Sequence, residues 1–163
     1  MRSVSPADTT VEMTQLVLPS NTNNLGTAFG GQIAAWVDIC AAVSAQRFCR
    51  LSVVTASMDA LHFLHPVHQG MVVILKSTVN AAWNTSMEVG VRVESENPLT
   101  GERIHCCTAY LTFVSINDQG RTIPLPKLSI EPDSIWERRS QEARLRRELR
   151  LRMKEIRITG GVS

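Results

Sequence analysis

Asn23-Asn24-Leu25-Gly26-Thr27-Ala28-Phe29-Gly30-Gly31-Gln32-Ile33-Ala34-Ala35-Trp36-Val37-Asp38 begins as a polar turn, passes a glycine pair and becomes an almost wholly apolar helical pattern. Glycine at 30 and 31 gives backbone freedom or room for a close neighbour. A helix starting there leaves its first N–H groups unpartnered and carries a partial positive charge at that end. Asp38 is a lone carboxylate more than a turn further in. Its helical neighbours are Ala34, Ala35, Ala41 and Ala42, with Ala45 beyond. That small-residue face suits close contact with a sheet, a partner chain or a thin ligand. An unpaired buried carboxylate is costly, so Asp38 is either a structural acid paired with Arg47, Arg50 or an amide, or a functional one.

The helix pattern runs from Gly31 to about Phe48. Ile33, Trp36, Val37, Cys40, Ala41 and Val43 make it apolar on most sides, which predicts a helix wrapped by the rest of the fold. Arg47 and Arg50 suit its C-terminal end. Upstream, residues 1–10 read as a loose polar leader, and Glu12 to Leu18 reads as a short strand stopped by Pro19. Downstream, strands are expected over 52–61, 71–79, 86–95 and 103–115. The third of these alternates Met87, Val89, Val91 and Val93 against Ser86, Glu88, Gly90, Arg92 and Glu94, a half-buried antiparallel pattern. Asn97 to Gly101 and Asn117 to Gly120 are turns. Pro124 and Pro126 mark an exit segment. Residues 132–158 read as a second helix with Pro132 in its first turn and a stripe of Leu145, Leu149, Met153 and Ile156. Strand, buried helix, then four strands predicts α+β architecture, with one sheet face on the helix and the other left to a partner.

At 163 residues and 44% hydrophobic composition the chain suits one domain with a real core, with residues 1–130 as the body and 131–163 as a basic amphipathic tail. The body carries 8 basic and 9 acidic side chains, a balance of −1, and the tail 9 and 6, a balance of +3. The body is therefore no nucleic-acid platform. In the tail, interspersed acids favour intrahelical pairing and docking on a neighbouring subunit over nucleic acid or membrane. Cys40, Cys49, Cys106 and Cys107 form no CxxC pattern and no disulfide framework. With no signal peptide and no run of membrane-spanning length, a reducing, cytoplasmic setting is expected.

Asn23-x-x-Gly26-x-x-Phe29-Gly30-Gly31, followed seven residues later by Asp38, resembles the signature of hotdog-fold acyl-CoA thioesterases, and more closely the cytosolic acyl-CoA hydrolase group. Met13 to Pro19, Val54-Thr55-Ala56-Ser57-Met58-Asp59, Phe63-Leu64-x-Pro66-Val67-x-x-Gly70 and Thr85-Ser86-Met87-Glu88-Val89 carry the same resemblance, which covers roughly residues 11–127. It implies a hotdog fold: a long central helix wrapped by a curved antiparallel sheet, in homodimers joined edge to edge and assembled further into a hexamer. It implies hydrolysis of acyl-CoA thioesters between subunits, without cofactor or metal. By the same resemblance Asn23 and Asp38 form the catalytic pair from opposing subunits, and Asn24 is a second candidate in the same loop.

Such a site needs a positioned water, a seat for the tetrahedral oxyanion and room for acyl-CoA. Asp38 acts as general base or attacks covalently to give an anhydride; the sequence leaves both open. The Gly30 and Gly31 N–H groups suit the oxyanion, and the Asn23 amide suits the water or the carbonyl. Phe29 and Phe63 are candidates to line the acyl pocket, Thr85 and Ser86 to meet the pantetheine arm, and Arg92 to meet the phosphates. Against these stand plain structural roles: Asn23 as a turn residue and the glycines as packing residues. His62, His65 and His68 do not complete a metal set. Two other functions fit the same chain less well. One is an acyl-CoA-binding or assembly module without turnover. The other is an enoyl-CoA hydratase, which would want a histidine near the helix start, where there is none.

Overall fold

A computed structural model describes residues 2–160. Met1 of the leader and residues 161–163 of the tail lie outside the described residues. The order is β1 (Ser3–Val4), a 3-10 turn (Pro6–Thr9), β2 (Val11–Leu16), a second 3-10 turn (Pro19–Asn21), α1 (Gly30–Cys49), β3 (Ser52–Met58), β4 (Val72–Ala82), β5 (Ser86–Glu96), β6 (Arg103–Ile116), β7 (Lys127–Leu128) and α2 (Ile135–Thr159). Five strands form an antiparallel sheet in the order β2-β4-β5-β6-β3, and β1 pairs with β7 in parallel. The sheet curves around α1. This is the hotdog fold.

The inner face of β5 is the one expected, although Glu88 on the outer face is buried as well. Met87, Val89, Val91 and Val93 are buried against α1, and so are Cys107, Ala109, Leu111 and Phe113 from β6. Polar atoms fix the docking of α1. The Ser77 hydroxyl donates to the Cys40 carbonyl at 2.9 Å, and the Ser44 hydroxyl donates to the Thr9 carbonyl at 2.8 Å. The N-terminal segment is therefore not a loose leader. Val4 and Thr9 are buried, and the Val79 N–H donates to the Thr9 hydroxyl at 3.0 Å. A local reading of Ser, Asp and Thr missed it because its partners, Ser44, Val79 and Leu128 among them, are distant in sequence.

α1 is wrapped by the sheet as expected, with one flank left open, where Ala35 is exposed and Ile39 is 54% exposed. Two further expectations are corrected. α2 does not begin at Pro132. Asp133 takes φ 56° and Ser134 is the N-cap, its hydroxyl accepting from the Glu137 N–H at 3.3 Å while the Glu137 carboxylate accepts from the Asp133 N–H at 2.9 Å. The outer sheet face is also not left wholly free, because α2 packs on it. α2 docks through Ser140, Ala143 and its arginines, while Leu145, Leu149, Met153 and Ile156 remain half exposed.

Candidate active site

The loop before α1 is built by Asn23. Its side-chain oxygen accepts from the Leu25 and Thr27 N–H groups at 2.9 and 3.2 Å, and its amide donates to the Thr27 hydroxyl at 2.9 Å. The loop is pinned to the segment after β3 by Ala28 N–H donating to the Val67 carbonyl at 2.7 Å and Gln69 N–H to that of Gly26 at 2.9 Å. Asn24, exposed, makes no side-chain hydrogen bond among the described residues. Phe29 is the N-cap of α1, with no side-chain cap, and is 51% exposed. No acceptor meets the Gly30 and Gly31 N–H groups among the described residues, so the helix start presents two free donors. Phe63 lies over Gly30: a Cβ there would stand 3.2 Å from its ring. Nothing lies within 4 Å of a Cβ at Gly31.

Asp38 lies half-buried on the uncovered flank of α1. The Thr55 hydroxyl, from edge strand β3, donates to Asp38 Oδ1 at 2.7 Å. Beside Thr55 the strand bulges at Ala56, where its register against β6 shifts. No cation neutralises Asp38 among the described residues. Arg47 donates instead to the Thr10 carbonyl, and Arg50 is the left-handed C-cap of α1. One carboxylate oxygen is thus fixed by a hydroxyl, and Oδ2 has no partner among the described residues. Sequence reasoning missed Thr55, which reads as an ordinary strand former in Val53-Val54-Thr55.

One chain does not bring these groups together. Eight residues of helix separate Gly30 from Asp38, about 12 Å along the axis at 1.5 Å per residue, and no hydrogen bond joins Asn23 to Asp38. The remaining candidates are dispersed. Thr85 offers its carbonyl to the Ser115 N–H at 3.1 Å in the β4–β5 turn, and Ser86 borders a groove under α2. Arg92 lies on the outer sheet face, paired with Glu94 at 2.7 Å, and holds that carboxyl below the usual carboxylate range. It borders a separate cleft of about 400 Å³.

Cys40, Cys49 and Cys107 are buried thiols held in the neutral form. Burial pushes the Cys107 thiol up to about 11, with its neighbour Cys106 adding to the shift, and burial also raises Cys40 and Cys49. Cys106 and Cys107 do not face opposite environments as strand neighbours would. The ladder shifts register there, and both are buried.

Comparison with known proteins bears on this geometry. The Thioesterase superfamily model matches residues 25–102. An uncharacterized acyl-CoA thioester hydrolase of Bacillus subtilis is 42% identical over 123 residues, covering 76% of this chain and 72% of that one. Two longer mouse relatives are spanned over only 18% and 27% of their length. An apo-hexameric acyl-CoA thioesterase superimposes with TM-score 0.90 at 36% identity, over 96% of this chain and all of that one. The acyl-CoA hydrolase of Staphylococcus aureus, solved with butyryl-CoA and CoA, gives TM-score 0.87 at 30% identity over 97% and 96% of the two chains. That enzyme has also been solved with an asparagine, an aspartate and a threonine each changed to alanine, at positions 15 and 17 residues apart in that order. With its fold, its glycine-marked helix start and these likenesses, the chain belongs to the hotdog-fold acyl-CoA thioesterase family and is related to the cytosolic acyl-CoA hydrolases.

Proposed function

We propose that the protein hydrolyses acyl-CoA thioesters to free acid and CoA at a site completed by a second copy of the chain, with Asp38 activating the water. The observation that carries this is a carboxylate on the open flank of α1, oriented by Thr55, that among the described residues has no cation and no partner at Oδ2. Asn23, Asp38 and Thr55 stand 15 and 17 residues apart, the separations of the three positions altered in the Staphylococcus enzyme. Thr55 joins the candidate set on that ground.

Oδ2 takes a proton from water as the water oxygen attacks the thioester carbonyl. The Gly30 and Gly31 N–H groups of the partner subunit receive the oxyanion, since those of the same helix are too far along the axis. Asn23 of the partner subunit shapes that loop and presents its remaining amide N–H. Collapse of the tetrahedral centre breaks the C–S bond, and the proton held by Asp38 goes to the CoA thiolate. Phe29 and Phe63 flank the helix start and bound the acyl group. The assembly is a homodimer through the open flank of α1 and edge strand β3; the hexameric relative supports further association of such dimers.

Purified protein is expected to release thiol from acyl-CoA across a series of chain lengths. Asp38→Asn should lower turnover at least ~100-fold with an unchanged melting temperature. Saturable CoA-thioester binding without thiol release in the wild type would identify a binding module instead. Full turnover in Asp38→Asn would remove the acid from its role.

A further inference from the structure

β3 serves both faces of the sheet. On the α1 side, the Thr55 hydroxyl donates to Asp38 at 2.7 Å, and Thr55 stands opposite the buried Phe113 of β6. Asp59, just past the end of β3, faces the other way. Its carboxylate meets Arg150 at 2.8 Å, on the side that α2 covers. On a regular strand, residues four apart share a face. The bulge at Ala56 breaks that rule. From Thr55 to Met58 the chain takes three steps, while β6 takes two, from Phe113 to Leu111. Met58 therefore stays on the inner face, packed against the core, and Asp59 turns outwards. There it lies beside Tyr110, whose carbonyl accepts the Asp59 N–H at 2.9 Å. Arg146 stacks over that same ring, 3.6 Å from its centroid.

A bulge on an edge strand is a place where pairing slips easily. β3 has a ladder partner on one side only, and most of its residues are exposed. Past the bulge, only Ser57, Met58 and the Asp59 N–H hold it to β6 before the chain leaves the sheet. Arg150 adds a second tie at that last fixed point. It bridges Asp59 and, at 3.1 Å, the fully buried Glu88 of the central strand β5. The Asp59 and Arg150 side chains are only 24% and 20% exposed, so solvent and salt screen their attraction weakly. A slip of one residue in β3 turns Thr55 away from α1, and Asp38 then loses its donor.

We infer that Asp59 is a positioning residue: its ion pair with Arg150 holds the β3 bulge in the register that aims the Thr55 hydroxyl at Asp38. α2 thus takes part in orienting the acid although it lies on the opposite face of the sheet. The kinetic consequence rests on the hydrolase reading; the structural one does not.

Two measurements on the full chain test this. Asp59→Asn removes the charge and keeps the shape of the side chain. It should lower kcat about 5-fold and leave KM within about twofold of wild type, since Asp59 acts through Thr55. In a Thr55→Ala background the same change should cost less than about twofold, because the hydroxyl it positions is already gone. An equal loss in both backgrounds, or a loss confined to KM, overturns the assignment. Amide hydrogen exchange over residues 55–58 should quicken at least ~10-fold in Asp59→Asn while β4 is unaffected. Unchanged exchange at those residues overturns it whatever the turnover. Arg150→Met removes the pair from the α2 side, with Arg146 still facing Glu88, and takes the place of Asp59→Asn in both measurements if that variant folds poorly. A wild type that releases no thiol refutes the hydrolase reading, and hydrogen exchange then decides the role of Asp59 alone.

Discussion

Thr55 reaches Asp38 across the gap between β3 and α1, and its hydroxyl is the only hydrogen-bond donor to that carboxylate among the described residues. Thr55→Ala should therefore lower kcat by ~10-fold or more while leaving KM nearly unchanged, and Thr55→Ser, which keeps the donor, should recover most of it. Equal loss in both variants would show that the methyl group and strand packing matter rather than the hydrogen bond. Asp38 was legible in the sequence because a lone acid on an alanine face has no local partner. Thr55 was not, because a threonine in a strand declares nothing about what it will face. Asn23 was legible as a loop residue, but its proposed pairing with Asp38 is absent within one chain. Cys107 offers a test of a different kind. Its folded value of about 11 lies above the 9.0 of an unperturbed thiol. A raised acid favours folding fully below pH 9, and that contribution falls as pH rises from 9 through 11, by up to ~3 kcal/mol. Urea unfolding should show the wild type losing its advantage over Cys107→Ala across that range, and parallel pH profiles would contradict it.

α2 is attached by charge more than by apolar contact. Glu88 is fully buried and receives Arg146, Arg150 and the Asn80 amide, the last at 3.1 Å. Gly90 makes this possible, since a Cβ there would stand 2.6 Å from the Asn80 amide nitrogen. Either arginine alone still neutralises Glu88, whereas losing both strands a buried charge. Arg146→Met and Arg150→Met should thus cost modestly one at a time, while the double variant should exceed their sum and approach ~3–5 kcal/mol. Additive losses in denaturant unfolding would show that the two arginines act independently. The alternation of β5 placed Glu88 on the outer face, but not its burial, because its partners lie 58 and 62 residues further on. The leucine stripe of α2, expected to dock on a neighbouring subunit, is half exposed on the chain, while the helix meets its own sheet through Ser140, Ala143 and the arginines. Helical periodicity reports where apolar side chains align, whereas two buried ion pairs decided which side of this helix meets the sheet. The strand order and the central helix were readable because their signals are local and period-two or period-3.6.

One flank of α1 and the edge of the sheet lie open side by side. Ile39 is 54% and Val43 36% exposed on the helix, and Val54 is 44% exposed on β3, which ends the sheet without a further strand. An unpaired strand edge next to an apolar helix flank favours burial against a like surface, and a two-fold axis there would pair each copy's exposed patch with its own kind. The same flank carries Asp38, and the distance along α1 keeps its own helix start out of reach. Dimer formation and catalysis are therefore coupled in the proposed enzyme: the acid comes from one protomer and the backbone donors from the other. Ile39→Gln/Val43→Gln alters side chains that are already substantially exposed, so each protomer should keep its fold while the apolar contact is lost. Sedimentation velocity should find the double variant shifted towards monomer on dilution. Its specific activity should fall in step with the dimer fraction, while wild type stays associated and active at the same concentrations. A stable monomer that turns over acyl-CoA at the wild-type rate would mean that one chain suffices, and the division of the site between two copies would have to be abandoned.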